Sequence, residues 1–177
     1  NSVMMRPSSP IVIIMGVSGC GKTVVGEALA KRLDCPFLEG DEFHPAENIT
    51  KMRAGIPLND DNRTGWMAAI RTAMKKQPGH AIVACSALKR KHRAYLSDFS
   101  RAVLFLHLTG ERTLLEKRIG SREGHFFDPN LLGSQLDVLE PPQEDEEAIT
   151  LRIDDEIENI VAVALLGLRE YGLYPPL

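Results

Sequence analysis

IVIIMGVSGCGKT, Ile11 to Thr23, changes character at Met15. Ile11 to Met15 is an unbroken, mostly β-branched apolar run, the pattern of a strand covered on both faces in a parallel sheet. Beyond Thr23, Val25, Leu29 and Leu33 recur every fourth residue and put one apolar stripe along a helix. Between strand and helix, Gly16, Gly21, Lys22 and Thr23 satisfy the pattern G-x-x-x-x-G-K-[ST]. Glycines let such a loop curl until the backbone N–H groups of Gly16, Val17, Ser18, Gly19, Cys20 and Gly21 face phosphate oxygens. Lys22 then reaches the β- and γ-phosphates, and Thr23 offers a hydroxyl to Mg²⁺. Cys20 serves through its N–H, and its thiol is incidental. A ligand-free strand-to-helix turn is the bland alternative; the matching context on both sides favours a nucleoside triphosphate site.

Working outward, FLE (37–39), AIVACS (81–86), VLFLHL (103–108) and TLRI (150–153) read as four further strands. Trp66, Ala69, Ile70, Ala73 and Met74 share one helical face, as do Ile157, Ile160, Val161, Ala164, Leu165 and Leu168. Alternating strands and helices predict an α/β fold, a doubly wound five-stranded parallel sheet, with ligands beyond the carboxyl ends of the strands. Two polar segments, 42–65 and 120–147, break the alternation. They read as lids or substrate-binding elements, or else as solvated loops.

The 177 residues suit a single domain, here 10–177. Residues 1–9 read as a frayed or artificially appended terminus. Lysine and arginine total 21 against 24 acidic residues, a net charge of −3 that argues against nucleic acid as the main partner. No apolar run approaches the ~20 residues of a membrane span. Three cysteines without C-x-x-C spacing predict reduced thiols and a cytoplasmic setting.

The acceptor of the phosphate is narrowed by what surrounds the other strand ends. The N-K-x-D element of a guanine switch is absent, and strands 3 and 4 end in Cys85-Ser86 and Leu108-Thr109 rather than in the aspartate of a mechanical ATPase. LRIDDE (151–156) reads as a half-exposed strand followed by a capping arrangement of Asp155 with Glu158. Asp41, directly beyond strand 2, is the candidate to orient an acceptor hydroxyl; phosphoryl transfer releases that proton late, so an ordinary carboxylate pKa of about 4 suffices. Glu39 and Glu42 are rival carboxylates, and His44 is either a second hydrogen-bonding group for a polyol or a helix-start residue. In SALKRKHR (86–93), Lys89 lies nearest the strand end and suits an anionic substrate, while the other cations read as a solvated helix face; Arg53 and Arg63 are further basic candidates. Arg118 and Arg122, one turn apart, would neutralise charge building between the phosphates, and His125, Phe126 and Phe127 would close the mouth over them, or else join the core.

MGVSGCGKT, LEGDEFHPAENITKM, GIPLNDDNRTGW, CSALKRKHR and REGHFF, in this order, closely resemble the bacterial-type gluconokinases, relatives of shikimate kinase within the nucleoside monophosphate kinase-like P-loop fold. The resemblance runs from Ile11 to the final helix. It implies ATP- and Mg²⁺-dependent phosphorylation of D-gluconate at its 6-hydroxyl, a mobile lid around 120–140 and commonly a homodimer. Taken with the residue readings above, the expected site has Lys22, Asp41 and Arg122 in catalysis, Arg118 with the loop at the nucleotide, and Asp41, His44, Arg53, Lys89 and His125 at the substrate. Family members often carry Asp-Gly-Asp where this chain has Glu39-Gly40-Asp41, and Ser in place of Cys20; the first change bears on which carboxylate serves the metal. A kinase of another small hydroxy acid such as shikimate, and a nucleotide-gated binding protein, are the alternatives.

Overall fold

A computed structural model gives the structure of residues 9–120 and 130–176. At its centre is β1 (Ile11–Met15), every residue of which is buried. It pairs in parallel with β3 (Ala81–Ala84) on one side and β4 (Val103–Thr109) on the other; β2 (Phe37–Glu39) and β5 (Ala148–Arg152) complete an all-parallel sheet of order β2-β3-β1-β4-β5. The five expected strands are the five observed. The third stops two residues early as a strand, although Cys85 N–H still donates to the Ile14 carbonyl and Gly16 N–H to that of Ser86.

Alternation along β1 divides the core. Val12 and Ile14 point to one face, against Val25, Leu29 and Leu33 of α1 (Lys22–Leu33) and Ile160, Ala164 and Leu168 of α7 (Ile157–Arg169). Ile11, Ile13 and Met15 point to the other, against Trp66, Ile70 and Met74 of α3 (Asp60–Lys75) and Leu96 of α4 (Arg90–Ser97). The doubly wound arrangement follows from this two-sided burial. α5 (Arg112–Gly120) and α6 (Asn130–Val138) flank the residues outside the description. Among the described residues, no helix is long and apolar enough to cross a membrane.

Segment 42–65 is largely helical. A 3-10 turn (Gly40–Phe43) leads into α2 (Ala46–Arg53), and Asn59 begins α3 through a reciprocal capping box with Asn62. The expected Asp155–Glu158 cap takes another form. Glu156 is the N-cap of α7 without a side-chain bond, and Asp155 Oδ1 accepts from the Glu156 N–H (2.8 Å) and Asn159 Nδ2 (2.9 Å). Of the expected solvated face, His92 and Arg93 turn inward. Arg93 bonds Glu146 at 2.6 Å and the carbonyls of Ala87, Leu88 and Glu140, tying the turn after β3 to the chain beyond α6.

Candidate active site

A cleft of about 570 Å³ opens at the carboxyl ends of β1, β2 and β3 and is lined by the loop 16–23, the turn after β2, α3, the turn after β3 and α6. The loop's curvature is built into its glycines. Gly16 has φ +147°, and a Cβ there would lie 2.7 Å from Cys20 Sγ and 2.8 Å from the Leu108 carbonyl oxygen. The Cys20 thiol therefore has a packing role under Gly16, beyond the incidental one expected, and the Cys20 N–H is spent on the Val17 carbonyl at 3.3 Å. Lys22 Nζ lies across the loop, donating to the carbonyls of Gly16 (2.9 Å) and Val17 (3.2 Å). The Ser18 N–H donates to Gln135 Oε1 of α6 at 2.7 Å. Arg118 stands beside the loop, with Nη1 4.0 Å from a Cβ placed on Gly21 and Nη2 donating to the Ile153 carbonyl beyond β5.

Two carboxylates face the loop from the end of β2. The Thr23 hydroxyl donates to Glu39 Oε2, and Glu39 Oε1 accepts from the Asp41 N–H at 3.3 Å. Burial raises the pKa of both Glu39 and Asp41; the Thr23 bond opposes this at Glu39 and the Lys22 charge at Asp41. Asp41 thus departs from the ordinary carboxylate expected of it. Gly40 allows the approach, since a Cβ on it would come within 2.1 Å of the Ala84 carbonyl oxygen.

His44 is buried. Its ring stacks on Trp66 at 4.0 Å and 16°, its Nδ1 is 3.2 Å from Asn48 Nδ2, and its Nε2 is 3.8 Å from Asp41 Oδ1. Burial, assisted by the Arg63 charge, lowers its pKa to about 4, so the ring is neutral at pH 7. Trp66 Nε1 donates to the Gly40 carbonyl at 2.7 Å and fixes the turn carrying Asp41.

On the opposite wall, Arg63 and Lys89 flank Asp60, whose carboxylate also meets Lys91 at 2.7 Å and His92 at 3.8 Å. Hydrogen bonding from Lys91 leads the effects that hold Asp60 down at about 2. On the cleft lining itself Arg63 and Lys89 stand against the single Asp60 carboxylate, which Lys91 also neutralises from outside the lining, so this wall is net positive and suits a second carboxylate.

The structure therefore brings Lys22, Thr23, Asp41, His44 and Lys89 into one cleft, with Arg118 at the loop's edge. Arg53 is exposed on α2 and is not among the lining residues, whereas Arg63 is. Arg122 and His125, with Phe126 and Phe127, lie outside the described residues. Trp66 reads in the sequence as one apolar position of a helical face, and Asn48, Asp60 and Trp66 lie inside the stretches that carry the resemblance without a role assigned to them there; Gln135 lies outside those stretches.

The chain matches the shikimate kinase family over residues 18–159. A probable gluconokinase of Xenopus tropicalis is 42% identical over 170 residues, spanning 86% of this chain and 90% of that protein. The thermoresistant gluconokinase of Escherichia coli (strain K12) is 38% identical over 156 residues, 86% of this chain and 89% of that one. The crystal structure of a gluconokinase from Sinorhizobium meliloti 1021 superposes with a TM-score of 0.85 at 40% identity, covering 94% of this chain and 95% of that one.

Proposed function

The chain belongs to the gluconokinase family, on the shikimate kinase-like scaffold, and from that premise we propose that its cleft transfers the γ-phosphoryl group of ATP to the 6-hydroxyl of D-gluconate. The observation that carries this reading is the meeting of three chemistries in one cleft: the phosphate loop, the Asp41–His44 pair and the cationic wall of Arg63 and Lys89. The loop amides and Lys22 hold the β- and γ-phosphates. Arg63 and Lys89 hold the sugar-acid carboxylate, which fixes the far end of the linear substrate and presents its terminal hydroxyl to Asp41. The hydroxyl oxygen attacks phosphorus, the bond to the β-phosphate oxygen breaks, ADP leaves, and the hydroxyl proton passes to Asp41 late in the transfer.

Mg²⁺ suits the donors present. The Thr23 hydroxyl spends its proton on Glu39 and keeps its lone pairs, and Glu39 and Asp41 add hard carboxylate oxygens. Among the described residues no cluster of three or more His, Cys, Asp or Glu side chains could hold a metal alone, in keeping with an ion carried largely by phosphates and water. Bound there, the ion would neutralise charge developing between the phosphates. The same reading makes the enzyme cytoplasmic and a homodimer; sedimentation of the purified chain tests the second.

The deciding experiment couples ATP consumption to 6-phosphogluconate formation across a panel of sugar acids and shikimate. Magnesium-dependent turnover with gluconate as the preferred acceptor is expected. Turnover on shikimate or another acid with none on gluconate would replace the substrate, and no acceptor-stimulated turnover at all would remove the kinase reading.

A further inference from the structure

Asn48 of α2 is fully buried, and the reaction above gives it no part. Its Nδ2 lies 2.8 Å from the Asn62 carbonyl oxygen and 3.2 Å from His44 Nδ1. A backbone carbonyl only accepts, so the amide nitrogen must face it; the reversed amide would set two oxygens 2.8 Å apart. The amide nitrogen has two protons, one for Asn62 and one for His44 Nδ1. A ring nitrogen that accepts a hydrogen bond carries no proton, so the neutral imidazole bears its proton on Nε2. That Nε2 is the atom turned toward Asp41. Trp66 fixes the ring plane by stacking on it while gripping Gly40, the residue before Asp41.

We infer that Asn48 is a positioning residue that holds His44 as its Nε2–H tautomer, so that an N–H rather than a lone pair faces the acceptor hydroxyl beside Asp41. This rests on the kinase reading of the cleft. At 3.8 Å, His44 Nε2 and Asp41 Oδ1 are too far apart to bond each other. A hydroxyl bridging them accepts from His44 and donates to Asp41, which points its proton at the carboxylate and leaves its second lone pair for phosphorus. With the other tautomer, ring and carboxylate would compete for that single proton.

The test is heteronuclear NMR of isotope-labelled histidine in the full chain, together with gluconate and ATP kinetics. In the unmodified protein, Nδ1 of His44 shows the signature of an acceptor and Nε2 carries the proton. As a carboxylate the Asn48→Asp side chain only accepts, so a proton is drawn onto Nδ1 and kcat/KM for gluconate falls about 10- to 100-fold, while binding of a non-hydrolysable ATP analogue is kept. Should that variant fold poorly, Asn48→Ala releases Nδ1 and gives a tautomer-averaged spectrum with a smaller kinetic loss. A wild-type Nδ1–H, or an Asn48→Asp ring unchanged from wild type, overturns the inference. A reversed tautomer with normal gluconate kinetics instead removes His44 from the acceptor hydroxyl and strikes the reading of that wall.

Discussion

Ser18 and Gln135 meet across the cleft, the loop N–H donating to the side-chain carbonyl at 2.7 Å. An inward amide of a phosphate loop is a donor shaped for an anion, so the glutamine oxygen occupies a place suited to a phosphate oxygen. Nucleotide binding has to displace it. A neutral hydrogen bond is worth about 0.5–1.5 kcal/mol, so Gln135→Ala should tighten ATP binding about 2- to 10-fold in calorimetry. Weaker binding would make Gln135 a nucleotide ligand and not a competitor.

Asp41 works as a carboxylate in the proposed transfer, so activity is present above its pKa and lost as pH falls through it. Burial raises that pKa, with the Lys22 charge pulling the other way. The acid limb of kcat/KM for gluconate should therefore lie above the ~4 of an exposed aspartate. Asp41→Asn should lower kcat about 10²- to 10⁴-fold while ATP binding persists. Normal turnover in that variant would take Asp41 out of the reaction.

What the sequence made legible was local. Ile11–Met15 and the glycines after it need no partner to announce a strand and a phosphate loop, and the period-four stripe of α1 needs only a sheet to lean on. The cleft's walls depend on contacts between segments distant in the chain. Trp66 appears in sequence as one more apolar position of a helix, yet its N–H holds the Gly40 carbonyl 26 residues away. Arg93 sits in a basic run whose other members are mostly solvated; the carboxylate of Glu146, brought back from beyond α6, together with the carbonyls of Ala87, Leu88 and Glu140, offsets the cost of burying it. Arg53 and Arg63 are equivalent as letters, and the direction of α2 against α3 separates them.

The cationic wall should act on binding. A hydrogen bond to a charged group is worth about 1.5–3 kcal/mol, so Arg63→Ala and Lys89→Ala should each raise the gluconate KM about 10- to 100-fold with smaller effects on kcat. Arg53→Ala, altering an exposed residue outside the cleft lining, should leave KM nearly unchanged. The reverse ranking would move the carboxylate seat to α2.

Arg93 is 1% exposed and its ion pair with Glu146 is nearly dry, side chains 2% and 11% exposed. Truncating one partner of such a pair strands the other charge at a cost of about 3–5 kcal/mol. Arg93→Met should lower stability by that order in urea denaturation. Adding Glu146→Gln should recover part of the loss, because the stranded charge is then gone. Additive losses in the double variant would show that the carbonyl contacts of Arg93, not the ion pair, carry its contribution.

His44, His92 and His107 are all buried, and burial is the first cause lowering each pKa to about 4. Their unfolded value is about 6.5, so between pH 6.5 and 4 the unfolded chain binds protons that the folded chain does not. Stability is complete above 6.5 and lost as pH falls through that window. Glu39 and Asp41, with raised pKa values, oppose the trend at its acidic end, so a single histidine outside the cleft is the cleaner probe. His107 on β4 serves: it is 4% exposed, its Nδ1 has no partner among the described residues, and the Arg93 charge adds to the effect of burial. His107→Phe removes one such proton at similar volume. The stability difference between pH 7 and pH 5, measured by urea unfolding, should shrink by up to about 1.4 kcal/mol per pH unit below 6.5. An undiminished difference would mean that His107 is protonated in the folded protein and that the acid sensitivity originates elsewhere.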